Sequence, residues 1–293
     1  MAAFVIDGKS IAEQIKLEVK SATANLKRER GVVPGLAFIL VGEDAASQVY
    51  VRSKGKACEE MGFYSITEKL SAHTTESQLL SLIDGFNHNP KIHGILVQLP
   101  LPSHIDENKV IEAIDYRKDV DGFHPVNVGR LVIGQKCLRP CTPAGVQELL
   151  LRSGNDPAGK HVVVVGRSNI VGKPVMNILL QKQKGANAVV TIAHTGGGDI
   201  ARYTREADIV IAAIGKPEAI TGDMLKAGCV VIDVGINRIP DPSAKNGYRI
   251  VGDVHFASAS AVAKAITPVP GGVGAMTIAM LMKNTLQAAE RIL

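Results

Sequence analysis

The stretch His161-Val162-Val163-Val164-Val165-Gly166-Arg167-Ser168-Asn169-Ile170-Val171-Gly172-Lys173-Pro174 constrains this chain more than any other. A surface helix buries one stripe and exposes the rest, so four consecutive valines do not fit one. They fit a strand covered on both faces, as in parallel sheets. The run ends at Gly166, and the spacing predicts a helix from about Gly172. A buried strand, a glycine turn and a helix N-terminus together form an anion site. The first N–H groups of the helix lack internal partners and lie at the positive end of its dipole. A dinucleotide pyrophosphate suits such a site. The loop departs from G-x-G-x-x-G, because Ser168 stands at the second glycine and Gly172 comes one residue late. The same spacing also fits a strand–turn–helix corner with no ligand.

The chain before this stretch alternates strands and helices, which predicts a parallel α/β unit. Ser10 to Glu13 reads as a capping box. It opens an amphipathic helix to about Arg28, with Ile11, Ile15, Val19, Ala22 and Leu26 at helical spacing. Strands are expected over 36–41, 63–69 and 92–98. Asp44 caps a helix that stops at Gly62. Thr75 to Gln78 is a second capping box, and a short helix runs from Asp106 to Ile114. The region 117–142 has few periodic apolar positions, and the domain boundary is expected there. Thr142-Pro143 opens a helix with Thr142 as cap. Beyond His161, strands are expected over 188–193, 209–214 and 230–234, a loop over 236–249 and a helix near 257–265. Thr267 to Gly274 breaks regular structure, and a last helix starts near Met276.

With 293 residues, 46% hydrophobic and 21% charged, the chain has enough apolar content for two packed domains. The net charge is +5, the basic residues are scattered and aromatics are only 4%, a pattern that argues against nucleic-acid binding. Cys58, Cys137, Cys141 and Cys229 form no C-x-x-C pair, so four reduced thiols and no metal site are expected. The N-terminus lacks a basic segment followed by a long apolar core. No apolar run approaches the roughly 20 residues of a membrane span. A cytoplasmic protein with no membrane partner is therefore expected.

Three groups of residues are candidates for chemistry. Around the glycine loop, no Asp or Glu lies between Gly166 and Gly198, where a site selective for NAD carries its acidic residue. Arg167, Ser168 and Thr195 offer a cation and two hydroxyls, which suit the 2′-phosphate of NADP. A solvated loop arginine is the alternative. Tyr50 and Lys54 stand four apart on one face of a helix that continues to Ala57 and Met61. A lysine desolvated at such an edge is a potential base; a snorkelling lysine beside a packed tyrosine has the same spacing. Gln98 ends a buried strand, and Asp121 lies in a polar loop. Both positions are typical of α/β sites and equally of solvated strand ends and turns. His124 and His194 are loop residues with no second metal ligand in view.

Several blocks agree together with one known family. Tyr50-Val51-Arg52-Ser53-Lys54 matches Y-V-x-x-K, Val97 to Pro102 matches V-Q-L-P-L-P, and Lys118 to Gly122 matches K-D-V-D-G. Pro140 to Pro143 matches P-C-T-P, Gly166 to Gly172 matches G-R-S-x-I-V-G, and Pro268 to Gly274 matches P-V-P-G-G-V-G. The chain closely resembles the bifunctional methylenetetrahydrofolate dehydrogenase/methenyltetrahydrofolate cyclohydrolase family. The resemblance implies two α/β domains with a cleft between them. The second is a Rossmann-like parallel-sheet domain over 140–268; the catalytic, folate-binding domain covers 1–139 plus 269–293, its C-terminal helix returning to it. It also implies oxidation of 5,10-methylenetetrahydrofolate with NADP, then hydrolysis of the methenyl product to 10-formyltetrahydrofolate, in a homodimer.

Carried over residue by residue, Lys54 is the central catalytic group. Tyr50 stacks on or orients the folate, Gln98 tunes Lys54 and Asp121 holds the pterin. Val97, Leu99, Pro270, Gly271, Gly272, Val273 and Gly274 line the substrate. Gly166, Arg167, Ser168, Thr195 and Ile236 contact the cofactor.

Three departures from the family pattern stand out. His194-Thr195-Gly196-Gly197 replaces H-S-[RK]-T, so a cation beside the hydroxyl is missing and NADP selectivity rests more on Arg167. The helix before the second strand of this domain is expected to be about four residues longer, around 181–185. Ala275 stands where a proline often follows P-G-G-V-G. Rival readings are a dehydrogenase with this first activity alone, a dehydrogenase of amino or hydroxy acids, and a nucleotide-sensing protein without catalysis. The last would not need Tyr50, Lys54, Gln98 and Asp121 together.

Overall fold

The computed structural model describes residues 3–244 and 247–291. In chain order the elements begin β1 (Phe4–Val5), α1 (Gly8–Arg30), β2 (Gly35–Val41), α2 (Ala45–Met61), β3 (Tyr64–Leu70), α3 (Glu76–His88) and β4 (Gly94–Val97). Then follow α4 (Glu107–Ala113), α5 (Pro125–Val132), α6 (Cys141–Arg152), β5 (His161–Val165), α7 (Gly172–Leu179), β6 (Val189–Ala193) and α8 (Ala201–Thr204). The chain closes with β7 (Ile209–Ala212), β8 (Val230–Asp233), β9 (Asn237–Pro240), β10 (Tyr248–Val251), α9 (Phe256–Ser260), β11 (Ala265–Ile266) and α10 (Val273–Glu290). Among the described residues, no helix is long and apolar enough to cross a membrane.

These elements form two compact units. The first is Glu13–Cys141 with Ile278–Leu293, and the second is Met1–Ala12 with Thr142–Thr277. The division differs from the expected boundaries at both ends of the chain. The first twelve residues go with the second unit because β1 pairs in parallel with β11, Phe4 against Ala265 and Val5 against Ile266. The Pro268–Gly274 loop goes there too. Gly272 packs on Thr267 and Pro268, and Gly8 sits on Gly272 so closely that a Cβ would lie 2.2 Å from its carbonyl oxygen.

The first unit holds a parallel sheet in the order β3-β2-β4. All seven residues of β2 are buried, as a central strand covered on both faces must be. β3 is an edge strand, with Thr67 and Lys69 among its more exposed positions. A core of Ile39, Leu79, Ile83, Phe86, Ile95 and Val110 fills the space between the sheet and α3 and α4. From the C-terminal helix, Met282 packs its sulfur 3.9 Å from Cys58 on α2.

The second unit holds a six-stranded parallel sheet in the order β1-β11-β8-β7-β5-β6. Val162 to Val165 are fully buried, as the valine run predicted. From β5 the chain moves to β6 on one side and then to β7 on the other, so the topological switch point lies at the end of β5, beside Gly166. β2 occupies the same topological place in the first unit, between β3 and β4.

Local signals held at two of the expected caps and at the full strands. Thr75 and Gln78 form the capping box, Asp44 accepts from Ser47 N, and Gly62 closes α2 in the left-handed conformation. The helix at Ser10 starts earlier, because Asp7 Oδ1 accepts from the N–H groups of Lys9 and Ser10. Thr142 lies inside α6 rather than at its cap, and its hydroxyl meets that of Thr277 at 2.9 Å. The expected loop over 236–249 contains an antiparallel hairpin, β9 with β10. The helix near 257–265 is only α9, and β11 follows it. The extra residues near 181–185 lengthen a turn and not α7. That turn is pinned by Gln147 Nε2 donating to Gly185 O at 2.7 Å.

Candidate active site

In the first unit the polar candidates gather at the carboxyl ends of the strands. Gln98 follows β4, and its N–H extends the ladder to Ile39 O at 2.9 Å. α2 follows β2 and carries Lys54 on its buried stripe with Ser47, Val51, Cys58 and Met61. Lys54 is 7% exposed, unusual for a lysine. Its Nζ donates to Gln98 Oε1 at 3.0 Å. Gln98 Nε2 in turn donates to Leu99 O at 2.9 Å, which fixes the amide with its oxygen toward the lysine. Tyr50, one turn before Lys54, is 49% exposed, so its ring is free to meet a ligand. Val97 is buried, Leu99 is half-buried, and the Leu99–Pro100 peptide is cis.

Asp121 completes the group. The chain at 118–120 runs beside β4, with Ile95 N bonded to Lys118 O at 2.8 Å. The Asp121 carboxyl is pushed above the usual carboxylate range by burial, against the opposing pull of the Lys54 charge. Cys141 is buried beside it, its thiol pushed up by burial and then by the Asp121 charge. The loop is rigidly held. Asp119, 3% exposed, accepts from Gly122 N at 3.1 Å, His124 N at 2.8 Å and Asn127 Nδ2 at 2.9 Å. From α10, Asn284 Nδ2 donates to Val120 O and Arg139 O, both at 2.8 Å. His124 caps α5 by accepting from Val126 N. A cavity of about 440 Å³ lined by His93, Asp115, Arg117 and Lys118 lies elsewhere, since His93 precedes β4 and Gln98 follows it.

In the second unit the carboxyl edge is built differently. Gly166 has φ +129°, and a Cβ there would lie 2.1 Å from Ala213 O. A Cβ on Gly172 would lie 2.2 Å from Gly166 O. Only glycines allow this close approach of backbone to backbone, the arrangement a phosphate cradle requires. The N–H groups of α7 are less free than the sequence implied. Ser168 Oγ accepts from Val171 N at 3.1 Å and Gly172 N at 3.3 Å, and Lys173 N bonds to Ser168 O. The Ser168 O–H remains available to donate. Arg167 and Thr195 are both exposed. The Arg167 guanidinium reaches the loop after β6, its Nη2 3.7 Å from where a Cβ on Gly196 would stand. His194 Nδ1 is buried with no partner. Ile236 is 55% exposed, and its Cδ1 lies 3.5 Å from where a Cβ on Gly274 would stand. The cradle, the reaching guanidinium and the two hydroxyls fit a phosphorylated dinucleotide.

Beneath that edge lie two buried aspartates that the sequence reading passed over. Asp233 is 3% exposed and Asp253 is fully buried. Burial pushes the Asp233 carboxyl up to about 6, against three backbone N–H bonds that pull it down. Asp119, Asn127 and Asn284 were also passed over. The available signal was a polar residue inside an apolar or tightly turning stretch, such as Asn284 within the last helix.

Comparison with known proteins agrees with this layout. Residues 6–121 match the family model described as tetrahydrofolate dehydrogenase/cyclohydrolase, catalytic domain. Residues 140–293 match the corresponding NAD(P)-binding domain model. The bifunctional protein FolD of Moorella thermoacetica is 60% identical over 291 residues, covering 99% of this chain and all of that one. A crystal structure of the bifunctional FolD methylenetetrahydrofolate dehydrogenase/cyclohydrolase from Campylobacter jejuni aligns with TM-score 0.93 at 47% identity, covering 100% of both chains. The Trypanosoma brucei enzyme, solved with NADP cofactor and an inhibitor, aligns with TM-score 0.92 at 43% identity over 100% of this chain and 99% of that one. With both units matched along nearly their whole length, this chain belongs to the tetrahydrofolate dehydrogenase/cyclohydrolase family.

Proposed function

We propose that this chain oxidises 5,10-methylenetetrahydrofolate with NADP and hydrolyses the 5,10-methenyl product to 10-formyltetrahydrofolate, with Lys54 as the central catalytic group. The observation that carries the assignment of Lys54 is its burial, with Nζ 3.0 Å from Gln98 Oε1 and the Asp121 carboxyl close enough to feel its charge.

Hydrolysis of the methenyl cation adds water to a carbon held between two nitrogens. A proton leaves the water, one carbon–nitrogen bond breaks, and a proton reaches the departing nitrogen. Lys54 serves both transfers in turn, as one positioned group suffices for sequential acid and base roles. Gln98 keeps the Lys54 amino group in place, and its own second bond to Leu99 O prevents the amide from turning away. Asp121 offers the pterin ring a carboxyl whose protonated form is favoured by burial. Tyr50 presents an exposed ring for stacking on the folate, with Val97 and Leu99 as the apolar wall. Pro270 to Gly274 borders folate and nicotinamide.

When bound, NADP takes up the hydride that leaves the methylene carbon. Gly166 leaves the backbone room for the pyrophosphate, Ser168 donates its O–H, and Arg167 with Thr195 faces the 2′-phosphate. Ile236 supplies an apolar contact to the cofactor. A cytoplasmic homodimer is part of the proposal, supported by the family resemblance; sedimentation at assay concentrations tests the dimer. The activity is tested by supplying methylenetetrahydrofolate with NADP and with NAD separately, following reduced nicotinamide and the methenyl species. Turnover with NADP is expected, and none with either cofactor refutes the reading.

A further inference from the structure

We infer that the buried aspartates Asp233 and Asp253 are positioning residues that lock three cofactor-side loops of the second unit into one arrangement. The inference rests on the cofactor site proposed above. Asp253 Oδ2 accepts from Ile214 N at 2.6 Å and Gly215 N at 2.9 Å, the first residues to turn away after β7. Its Oδ1 accepts from Asn237 Nδ2 at 2.9 Å, one residue past Ile236. Asp233 Oδ1 accepts from Gly235 N and from Asp253 N, both at 2.9 Å, and its Oδ2 accepts from Val254 N at 2.9 Å. The Asp233 N–H donates to Thr267 Oγ1 at 2.8 Å, and Thr267 opens the Pro268–Gly274 loop after β11. One unbroken set of hydrogen bonds thus joins the ends of β7, β8 and β11, which are neighbours in the sheet.

The residue types fit this task and little else. A carboxylate is acceptor-only, so it collects several N–H groups without offering a competing donor. At Asp233 both oxygens accept backbone N–H groups, so asparagine there would turn an NH2 group toward one of them; at Asp253 it would turn the NH2 toward the Asn237 amide NH2 and lose that bond. The surroundings leave no slack either. A Cβ on Gly235 would lie 2.3 Å from Asp253 Oδ1, and one on Gly252 would lie 1.8 Å from Asp233 Oδ2. Gly235 and Asn237 flank Ile236, so the pair holds the backbone on one side of that exposed side chain and the neighbouring side-chain amide on the other. Neither carboxylate is exposed to ligand. Their effect on the reaction runs through the loops they hold.

At Asp253 and Asn237, whose side chains bond the end of β7 and the Ile236 turn and not Thr267, the two activities provide the discriminating readout, because hydrolysis of the methenyl substrate needs no nicotinamide. In the full chain, Asp253→Asn should weaken NADP binding about tenfold, the scale of a lost charge-assisted hydrogen bond. It should raise the KM for NADP more than it lowers kcat, and leave kcat/KM for methenyl hydrolysis within about twofold. Asn237→Ala, which removes a single donor from the network, guards against failure of the first variant to fold. It should weaken NADP about threefold while the melting temperature falls by only a few degrees, on the order of 2–10 °C. Parallel loss of both activities in either folded variant, or unaltered NADP binding in both, overturns the inference. Arg167→Ala run alongside separates the two levels. If it weakens NADP while the network variants do not, the positioning role alone fails; if the parent chain binds no NADP, the cofactor site itself fails.

Discussion

At the carboxyl edge of the first unit, the polar groups are side chains: Lys54 on α2, Gln98 after β4 and Asp121 in the loop beside β4. At the carboxyl edge of the second unit they are mostly backbone, with glycines at 166 and 172 and loop N–H groups gathered by Asp233 and Asp253. Both edges lie at the switch point of a parallel sheet. Under the proposed function, the difference follows from what each edge handles. Moving protons needs a group that can take and return one at a fixed place, so the first edge holds a buried lysine against Gln98 with a half-buried carboxyl beside it. Holding a phosphorylated cofactor needs close backbone approach and fixed donors, so the second edge removes Cβ atoms and anchors its loops from beneath.

The comparison is tested most severely at Lys54. Replacement by Met should lower methenyl hydrolysis by about 10²–10⁴-fold, the scale of lost acid–base assistance, while folate and NADP still bind. Dehydrogenase activity should fall less, so methenyltetrahydrofolate accumulates and is visible by its absorbance. Hydrolysis within a fewfold of the parent would remove Lys54 from the centre of the site.

On the second edge, Arg167→Ala should weaken NADP by roughly ten- to a hundredfold, from loss of about 1.5–3 kcal/mol, and leave NAD nearly unchanged. Titration with both cofactors decides it, since equal losses would assign Arg167 to the pyrophosphate or the fold. Gly166→Ala probes the backbone directly. The added methyl meets Ala213 O at φ +129°, a strain of about 1–3 kcal/mol. Dehydrogenase should drop roughly five- to a hundredfold with hydrolysis retained, and comparable loss of hydrolysis would show that the two edges are not separable.

The smallest effect concerns Asp233, whose folded pKa of about 6 lies above its ordinary value of 3.8. A raised carboxyl contributes stability that is complete below its unfolded pKa and is lost as pH rises through its folded one. The parent should therefore lose about 1 kcal/mol of stability from this group between pH 5 and 6. Denaturant unfolding across that interval should show a flatter pH dependence for Asp233→Asn, although its absolute stability is lower. An unchanged slope would mean that Asp233 is ionised throughout.

Much of this layout was legible from residue order. The valine run fixed β5 as a central parallel strand, and the caps at Asp44 and Thr75 set helix starts correctly, because a cap is a contact within four residues. The family blocks pointed to Lys54, Gln98 and Asp121, and the structure brings these three together. The glycine loop was read as an anion cradle, and its glycines do sit against backbone. What the local pattern missed were elements stabilised from a distance. β1 and β11 are two-residue strands that exist because each completes a ladder in the six-stranded sheet. The β9–β10 hairpin lies in a stretch with two prolines and little alternation.

Residue order was enough to set the alternation of strands and helices, the two parallel sheets and the residue types available for proton transfer and phosphate binding. Tertiary structure alone decided which polar side chains would be buried and what they would hold. Asp233 and Asp253 are twenty residues apart with a hairpin between them. Asn284 reaches Val120 across 164 positions. No local periodicity encodes such pairs, since each carboxylate or amide is tolerated in the interior only once distant N–H or C=O groups have been folded around it.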